Sequence, residues 1–357
     1  MKIKILLLII SLIPLTSCFD YKELNNRFII EGIGIDYIDN EYVVTYEIVN
    51  TSKKEDKSMS SITINGKDKI LSNAFNNANI KLSKEPTLSH TKVLLISEDL
   101  AKKGLEEVLL YIIREPSIPY NIYPIITANP PKDIIENNKN TELISEAIKN
   151  MIEKNDHNDS IITHESFISF VSDVINPLKD GYLNYLSIEE DKPIINSISL
   201  FKNDKLITTL NKKESSILEV LTNKSKYYLT EVSCAENKII NIGLYQNNST
   251  RIIPEDNSIN INTTLNATIL EDECNLDFRN PNTINNLLPK VEEKINKELE
   301  SIYNTLLNYN IDTLGIKDIY YKKTKNKDFN YQTITPSFNT TVHLKRNGLI
   351  FEVIPNA

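Results

Sequence analysis

The sequence predicts an α+β fold of about three domains, carried behind an exported leader. Three observations predict it. The first third alternates short apolar runs with apolar residues at helical spacing. The last third holds long alternating strands and one long amphipathic helix. Removal of a 17-residue leader from 357 residues leaves 340, which is long for a single core.

The leader comes first. Lys2 and Lys4 precede an apolar core from Ile5 to Ile13, interrupted by Ser11, and then Pro14. That core is too short to span a bilayer, which takes about 20 residues, and matches a signal-peptide h-region. Leu15-Thr16-Ser17-Cys18 resembles a bacterial lipobox. It predicts a signal peptide over 1–17 and lipidation at Cys18 by two acyl chains, enough for stable anchoring. An uncleaved anchor or a chance Cys is the alternative. About ten residues separate Cys18 from the first strand, a tether of at most roughly 35 Å.

The whole chain has a formal charge of −8, and loss of Lys2 and Lys4 brings the mature chain to about −10. That balance disfavours nucleic acid and anionic lipid headgroups as partners, and with them a basic patch as the means of membrane binding. Membrane attachment is therefore expected through the acylated Cys18. No later apolar run approaches 18 residues.

The elements follow in order. Phe28–Asp36 and Tyr42–Val49 read as strands joined at Asp39-Asn40, and residues 51–60 as a loop. Ile70, Leu71, Ala74, Phe75 and Ala78 mark a helix, and Lys92–Ile96 a buried strand. Leu105, Val108, Leu109, Ile112 and Ile113 mark a helix ended by Pro116, and Ile122–Ala128 a further strand. These elements make an N-terminal α/β domain over 18–130.

Residues 132–180 read as mostly helical. Thr141 is the expected N-cap for Leu143, Ile144, Ile148, Met151 and Ile152, and Phe167, Phe170, Val171 and Val174 mark a helix stopped near Pro177. Residues 187–193 read as a charged joint. Ile194–Phe201 and Leu206–Leu210 form a hairpin about Asn203-Asp204, with a helix from about Glu214 to Leu221. The middle domain is thus expected over 131–222.

Tyr227–Val232, Lys238–Gln246 and Ile259–Leu270 read as long antiparallel strands. Val291, Ile295, Leu299, Ile302 and Leu306 mark the long helix, with Pro289 expected in its first turn. Thr340–Lys345 reads as a final strand before a turn at Asn347-Gly348. A C-terminal α+β domain over 223–357 results.

Candidate chemistry is sparse. There is no P-loop, no GxGxxG after a strand, no GxSxG and no HExxH. Asp156-His157-Asn158-Asp159 with His164-Glu165 could ligate a metal if a loop gathered them; a polar loop and helix start is the plainer reading. His90 and His343 have no partner that spacing identifies. Cys234 and Cys274 could pair in an exported chain, although two small buried hydrophobes is the plainer reading. No catalytic residue, metal site or cofactor is expected.

Several segments in one order resemble a known family. Cys18-Phe19-Asp20-Tyr21-Lys22-Glu23-Leu24 is followed by Gly32-Ile33-Gly34-Ile35-Asp36. Then come Ser89-His90-Thr91 with the strand and Glu98-Asp99-Leu100-Ala101-Lys102-Lys103-Gly104-Leu105, and Arg114-Glu115-Pro116. Leu200-Phe201-Lys202-Asn203-Asp204-Lys205-Leu206, Leu210 and Glu214, and finally Asp312-Thr313-Leu314-Gly315, complete the series. Together they resemble the spore germinant-receptor C subunits, the GerAC-like or Ger(x)C lipoproteins. Phe19 replaces the family's usual Trp, Phe329 falls where a late Trp is often found, and Thr313 replaces an aliphatic residue.

The resemblance implies a non-enzymatic, lipid-anchored subunit of a nutrient germinant receptor, of three α+β domains. It implies a place on the outer face of the spore inner membrane, beside two integral-membrane receptor subunits. It implies a role in assembly and signalling, and defines no ligand-binding residues. Two other classes are a solute-binding lipoprotein of a transporter, which would show two like α/β lobes, and a hydrolase using the Asp156–Glu165 cluster.

Overall fold

The structure, a computed structural model, describes residues 27–50, 61–136, 142–153, 161–246, 250–255, 258–325 and 330–345. The leader, Cys18, the loop over 51–60, Thr141, Asp156 to Asp159, Phe329 and the Asn347-Gly348 turn lie outside the described residues.

Nine strands form the first sheet: β1 (Arg27–Ile38), β2 (Glu41–Val49), β3 (Ser61–Asp68), β4 (Glu85–Thr87), β5 (Val93–Ser97), β6 (Tyr123–Thr127), β7 (Tyr182–Glu189), β8 (Lys192–Lys202) and β9 (Lys205–Thr209). The spatial order is β3-β2-β1-β5-β6-β7-β8-β9, with β4 also paired to β1. β1, β5, β6 and β7 run parallel, and hairpins add antiparallel strands at both edges. The apolar runs of β5 and β6 follow from burial on both faces.

Helices cover both faces. On one lie α1 (Leu71–Asn79), α2 (Glu98–Lys103), α3 (Glu106–Arg114) and, after two further helices, α6 (Phe167–Ile175); Phe75, Leu109, Ile112 and Phe170 join Ile33 and Ile35 in one core. On the other lie α4 (Pro131–Glu136) and α5 (Ile144–Glu153), whose Ile134, Ile148 and Ile152 pack with Val93, Leu95 and Ile125. Strand alternation divides Val93 and Leu95 from Leu94 and Ile96 between the two cores.

The Gly-Ile-Gly-Ile-Asp segment lies in β1 between these layers. A Cβ on Gly34 would stand 2.8 Å from Pro131 Cβ, so the missing side chain lets α4 reach the sheet. Glu47, fully buried on β2, accepts hydrogen bonds from the backbone N–H groups of Ile144 (2.7 Å) and Ser145 (2.9 Å). It thereby satisfies the first turn of α5, a capping role no local spacing announced.

The second sheet has β10 (Tyr227–Ala235), β11 (Lys238–Tyr245), β12 (Arg251–Pro254), β13 (Ser258–Asp272) and β14 (Thr335–Leu344). β10, β11 and β13 are antiparallel, as their alternation predicts, while β14 runs parallel to β13. α7 (Lys212–Leu221), α8 (Pro281–Asn308) and α9 (Ile316–Thr324) complete this half. Its core joins Val291, Ile295, Leu299 and Ile302 of α8 to Ile240, Ile242, Leu244 and Ile261.

The structure departs from the sequence reading at several elements. Residues 187–193 are no joint: β7 and β8 form a hairpin there, turned by Glu190 and Asp191, both at positive φ. The charges sit together because a solvated hairpin tip carries them. β3 was not anticipated, because Ser61-Ile62-Thr63-Ile64-Asn65-Gly66 is a mixed, weakly apolar run. α7 begins at Lys212, capped by a reciprocal Asn211–Glu214 box, which puts Glu214 inside the first turn. α8 begins eight residues before Pro289, at Pro281 behind the Asn280 cap. Pro289 is exposed, so the carbonyl it leaves unbonded can meet water.

Candidate functional site at the joint between the sheets

The two sheets meet along β7, β8 and α7. Tyr182, Ile198 and Leu200 pack into the second core, while their neighbours Leu183 and Phe201 pack into the first. One hairpin therefore belongs to both halves, and polar residues around it are drawn out of water.

Asp180 sits at one end of this joint. Its carboxylate accepts from Lys202 Nζ (2.8 Å) and from the backbone N–H of Asp312 (2.8 Å). Its own N–H donates to the Asp312 carbonyl at 3.0 Å. Lys202 Nζ also donates to the Asn310 carbonyl at 2.8 Å. The Asp312 carboxylate in turn accepts from the N–H groups of Ile316 and Lys317, both at 2.9 Å, and so caps α9. Burial pushes the Asp312 carboxyl up to about 6, against the opposing pull of those two N–H groups. Gly315 follows at φ +67°, the left-handed turn that leads into α9. The Asp312-Thr313-Leu314-Gly315 segment is thus a docking turn.

The other end holds Glu165, Glu219 and Lys224. Glu165 lies just before α6, and its almost fully buried carboxylate pairs with Lys224 Nζ. Lys224 follows α7 and also stands over the Tyr182 ring, 4.6 Å from its centroid. Glu219 is completely buried on α7. Burial pushes its carboxyl up to about 8, with Lys224 pulling the other way and Glu165 reinforcing the rise. The group is one ion pair, Glu165 with Lys224, beside the buried carboxyl of Glu219, and it ties the first half to the second.

The candidates from the sequence are placed as follows. Of the suggested metal ligands, His164 is exposed and Glu165 is committed to Lys224; the others lie outside the described residues. His90 and His343 are both exposed. Cys234 and Cys274 are a disulfide with Cα atoms 6.3 Å apart, which corrects the reading of two separate buried thiols. Asp272 stands beside both sulfurs, but a disulfide offers no thiolate to a metal. Grooves of about 500 and 410 Å³ flank α8; in the smaller, Tyr228 Oη donates to the Glu298 carboxylate at 2.7 Å. Lys224, Glu219 and Asp180 escaped sequence reasoning, because their partners lie far away in the chain.

Two further segments of the resemblance prove to touch each other. The Asn203-Asp204 turn between β8 and β9 receives the start of α3: Leu105 N–H donates to the Asp204 carbonyl (3.0 Å) and Glu106 N–H to its carboxylate (3.1 Å). Gly104 precedes them at φ +131°, and a Cβ there would stand 2.7 Å from Asp204 Oδ2.

Comparison with known proteins agrees. Residues 20–188 match the family described as spore germination protein N-terminal domain. Residues 196–348 match the family described as spore germination B3/GerAC like, C-terminal. Spore germination protein GerQC of Bacillus cereus is 24% identical over 239 residues, covering 65% of this chain and 66% of that protein, just under two thirds of its length. Putative spore germination protein YfkR of Bacillus subtilis is 20% identical over 341 residues, covering 88% of this chain and 86% of that protein. The crystal structure of the GerBC protein superposes with a TM-score of 0.56 at 14% identity, over 88% of this chain and 97% of that one, a likeness of fold. The two sheets, unlike in size and in helix arrangement, are not the paired lobes of a solute-binding protein. The chain belongs to the GerAC-like family of spore germination proteins.

Proposed function

We propose that this protein is a non-enzymatic, lipid-anchored subunit of a nutrient germinant receptor. It sits on the outer face of the spore inner membrane and supports receptor assembly and signalling beside integral-membrane subunits. The observation that carries the reading is the family match over both halves of the chain. A lipobox-like Leu15-Thr16-Ser17-Cys18 supports the anchor. No helix among the described residues is long and apolar enough to cross a membrane. Anchoring would hold the folded body at high effective concentration beside its partners. The proposed three-domain division, 18–130, 131–222 and 223–357, is a separate matter, since the first sheet draws strands from both sides of residue 130.

Membrane fractionation after feeding labelled palmitate tests the anchor. Label and protein are expected together in the membrane fraction, and Cys18→Ala should lose both. A wild-type protein that is unlabelled and recovered in the soluble fraction would contradict the proposal.

A further inference from the structure

Exposed apolar side chains gather at the end of the first sheet where β1 begins, more of them than the Ile38 and Ile70 exposed at the opposite end. β5 and β6 run parallel to β1, so the starts of all three strands lie together. β3 runs in the direction of β1, because each pairs antiparallel with β2. α1 therefore returns toward the start of β1, and α3 returns toward the start of β6. Ile80, just after α1, is 71% exposed; Leu110 and Ile113 of α3 are 41% and 37% exposed. Tyr120, before β6, is 45% exposed and Ile168, at the start of α6, is 49% exposed.

Leu110, Ile113, Tyr120 and Ile168 adjoin one another, and Ile80 lies at the end of the neighbouring α1. Leu110 and Ile113 are three apart on one helix. Tyr120 Oη donates to the Ile113 carbonyl at 3.0 Å, and Ile168 N–H donates to the Tyr120 carbonyl at 3.1 Å. Phe75 of α1 stacks on Tyr111 of α3 with ring centroids 4.2 Å apart, which brings the two helices together. Lys84 and Arg114 are exposed along the same end, beside Glu85 and the half-buried Glu115; Lys84 Nζ stands 5.8 Å from the Phe28 ring centre, and the exposed Lys81 donates to the Asn65 carbonyl (2.6 Å). The rim thus sets apolar side chains beside cations on a chain of net charge −8.

The same end is where the chain arrives from Cys18. Arg27 opens β1 nine residues after Cys18, a reach of at most about 30 Å. We infer that this end of the first sheet rests on the bilayer, with Ile80, Leu110, Ile113, Tyr120 and Ile168 seated in the headgroup region and the cations meeting anionic lipid. The inference rests on the anchoring reading above. A lipid surface fits better than a shaped protein groove: the side chains come from three helix ends and a loop, and they alternate with long cations able to reach phosphate. The short tether keeps this end of the first sheet within about 30 Å of the bilayer.

The chain contains no Trp, so a single introduced Trp is an unambiguous reporter. Full-length lipidated protein carrying Ile113→Trp or Ile168→Trp is reconstituted into vesicles of phosphatidylcholine and phosphatidylglycerol brominated on the acyl chains. Ile253→Trp, at a site 45% exposed on the second sheet, is the comparison. Each sample is first floated with the vesicles. Flotation with loss of Trp emission at positions 113 and 168, and none at 253, is expected. Flotation without quenching at 113 and 168 overturns the inference while leaving the anchor intact, and assigns the rim to a protein partner. Equal quenching at all three positions overturns it as well. Failure to float overturns the anchoring reading, and this inference with it.

Discussion

Glu219 is a carboxyl whose environment favours its protonated form. Unfolded, it titrates near about 4.3; folded, burial pushes it up to about 8. The folded chain therefore keeps a proton that the unfolded chain releases. The stability this provides is complete below about pH 4 and is lost as pH rises toward 8. Asp312, pushed up to about 6 by burial, adds the same sign over a narrower window ending near pH 6. Glu219→Gln is expected to flatten the fall in stability between pH 6 and 8, measured by urea midpoints across that range; an unchanged profile would contradict the assignment. Lys224→Met leaves the Glu165 carboxylate buried without its cation, and a loss of roughly 3 kcal/mol is expected in the same assay. Little of this cluster was legible beforehand. Glu165 stood out only as a possible ligand beside His164, and Lys224 lies 59 positions away. Burial and long-range pairing, which decide its role, leave no local pattern.

Elements with a strong period were read well, and those defined by partners were not. β1, β2, β5, β6 and β13 declare themselves by apolar runs or alternation. β3 has too weak a pattern and is held by its pairing with β2. The β7–β8 turn reads as a joint in sequence because a hairpin tip and a linker share the same charged composition. The start of α8 was misplaced because two prolines compete for the first turn, and the Asn280 cap decides for Pro281. Gly104 makes a local test of the α2–α3 junction. Gly104→Ala forces a side chain into a backbone region reserved almost wholly for Gly and against Asp204, so a loss of about 1–3 kcal/mol is expected from chemical denaturation. The Cys234–Cys274 bridge, 40 residues apart in sequence, ties the end of β10 to the loop after β13. Cys234→Ser is expected to lower stability by about 2–4 kcal/mol. Mass measurement after alkylation without reductant should find neither thiol labelled in the wild-type protein.

Over the whole molecule, the order of short segments carried more than any one of them. The Gly-Ile-Gly strand, the Gly104 turn, the Asn203-Asp204 hairpin and the Asp312–Gly315 turn are each weak alone. In the folded chain they are places where a helix meets a sheet or one half meets the other. A Cβ or a lost cap at such positions would displace a whole element, which is why these short segments matter to the fold. The docking of the two halves through Asp180, Lys202 and Lys224 was not legible, since it depends on contacts up to 132 residues apart. The most direct measurement is nutrient-triggered germination of spores whose only copy of this gene encodes Cys18→Ala, compared with wild type and with a deletion. The anchored-subunit proposal predicts wild-type protein levels with germination reduced toward that of the deletion. Full germination with the protein detached from the membrane would contradict it.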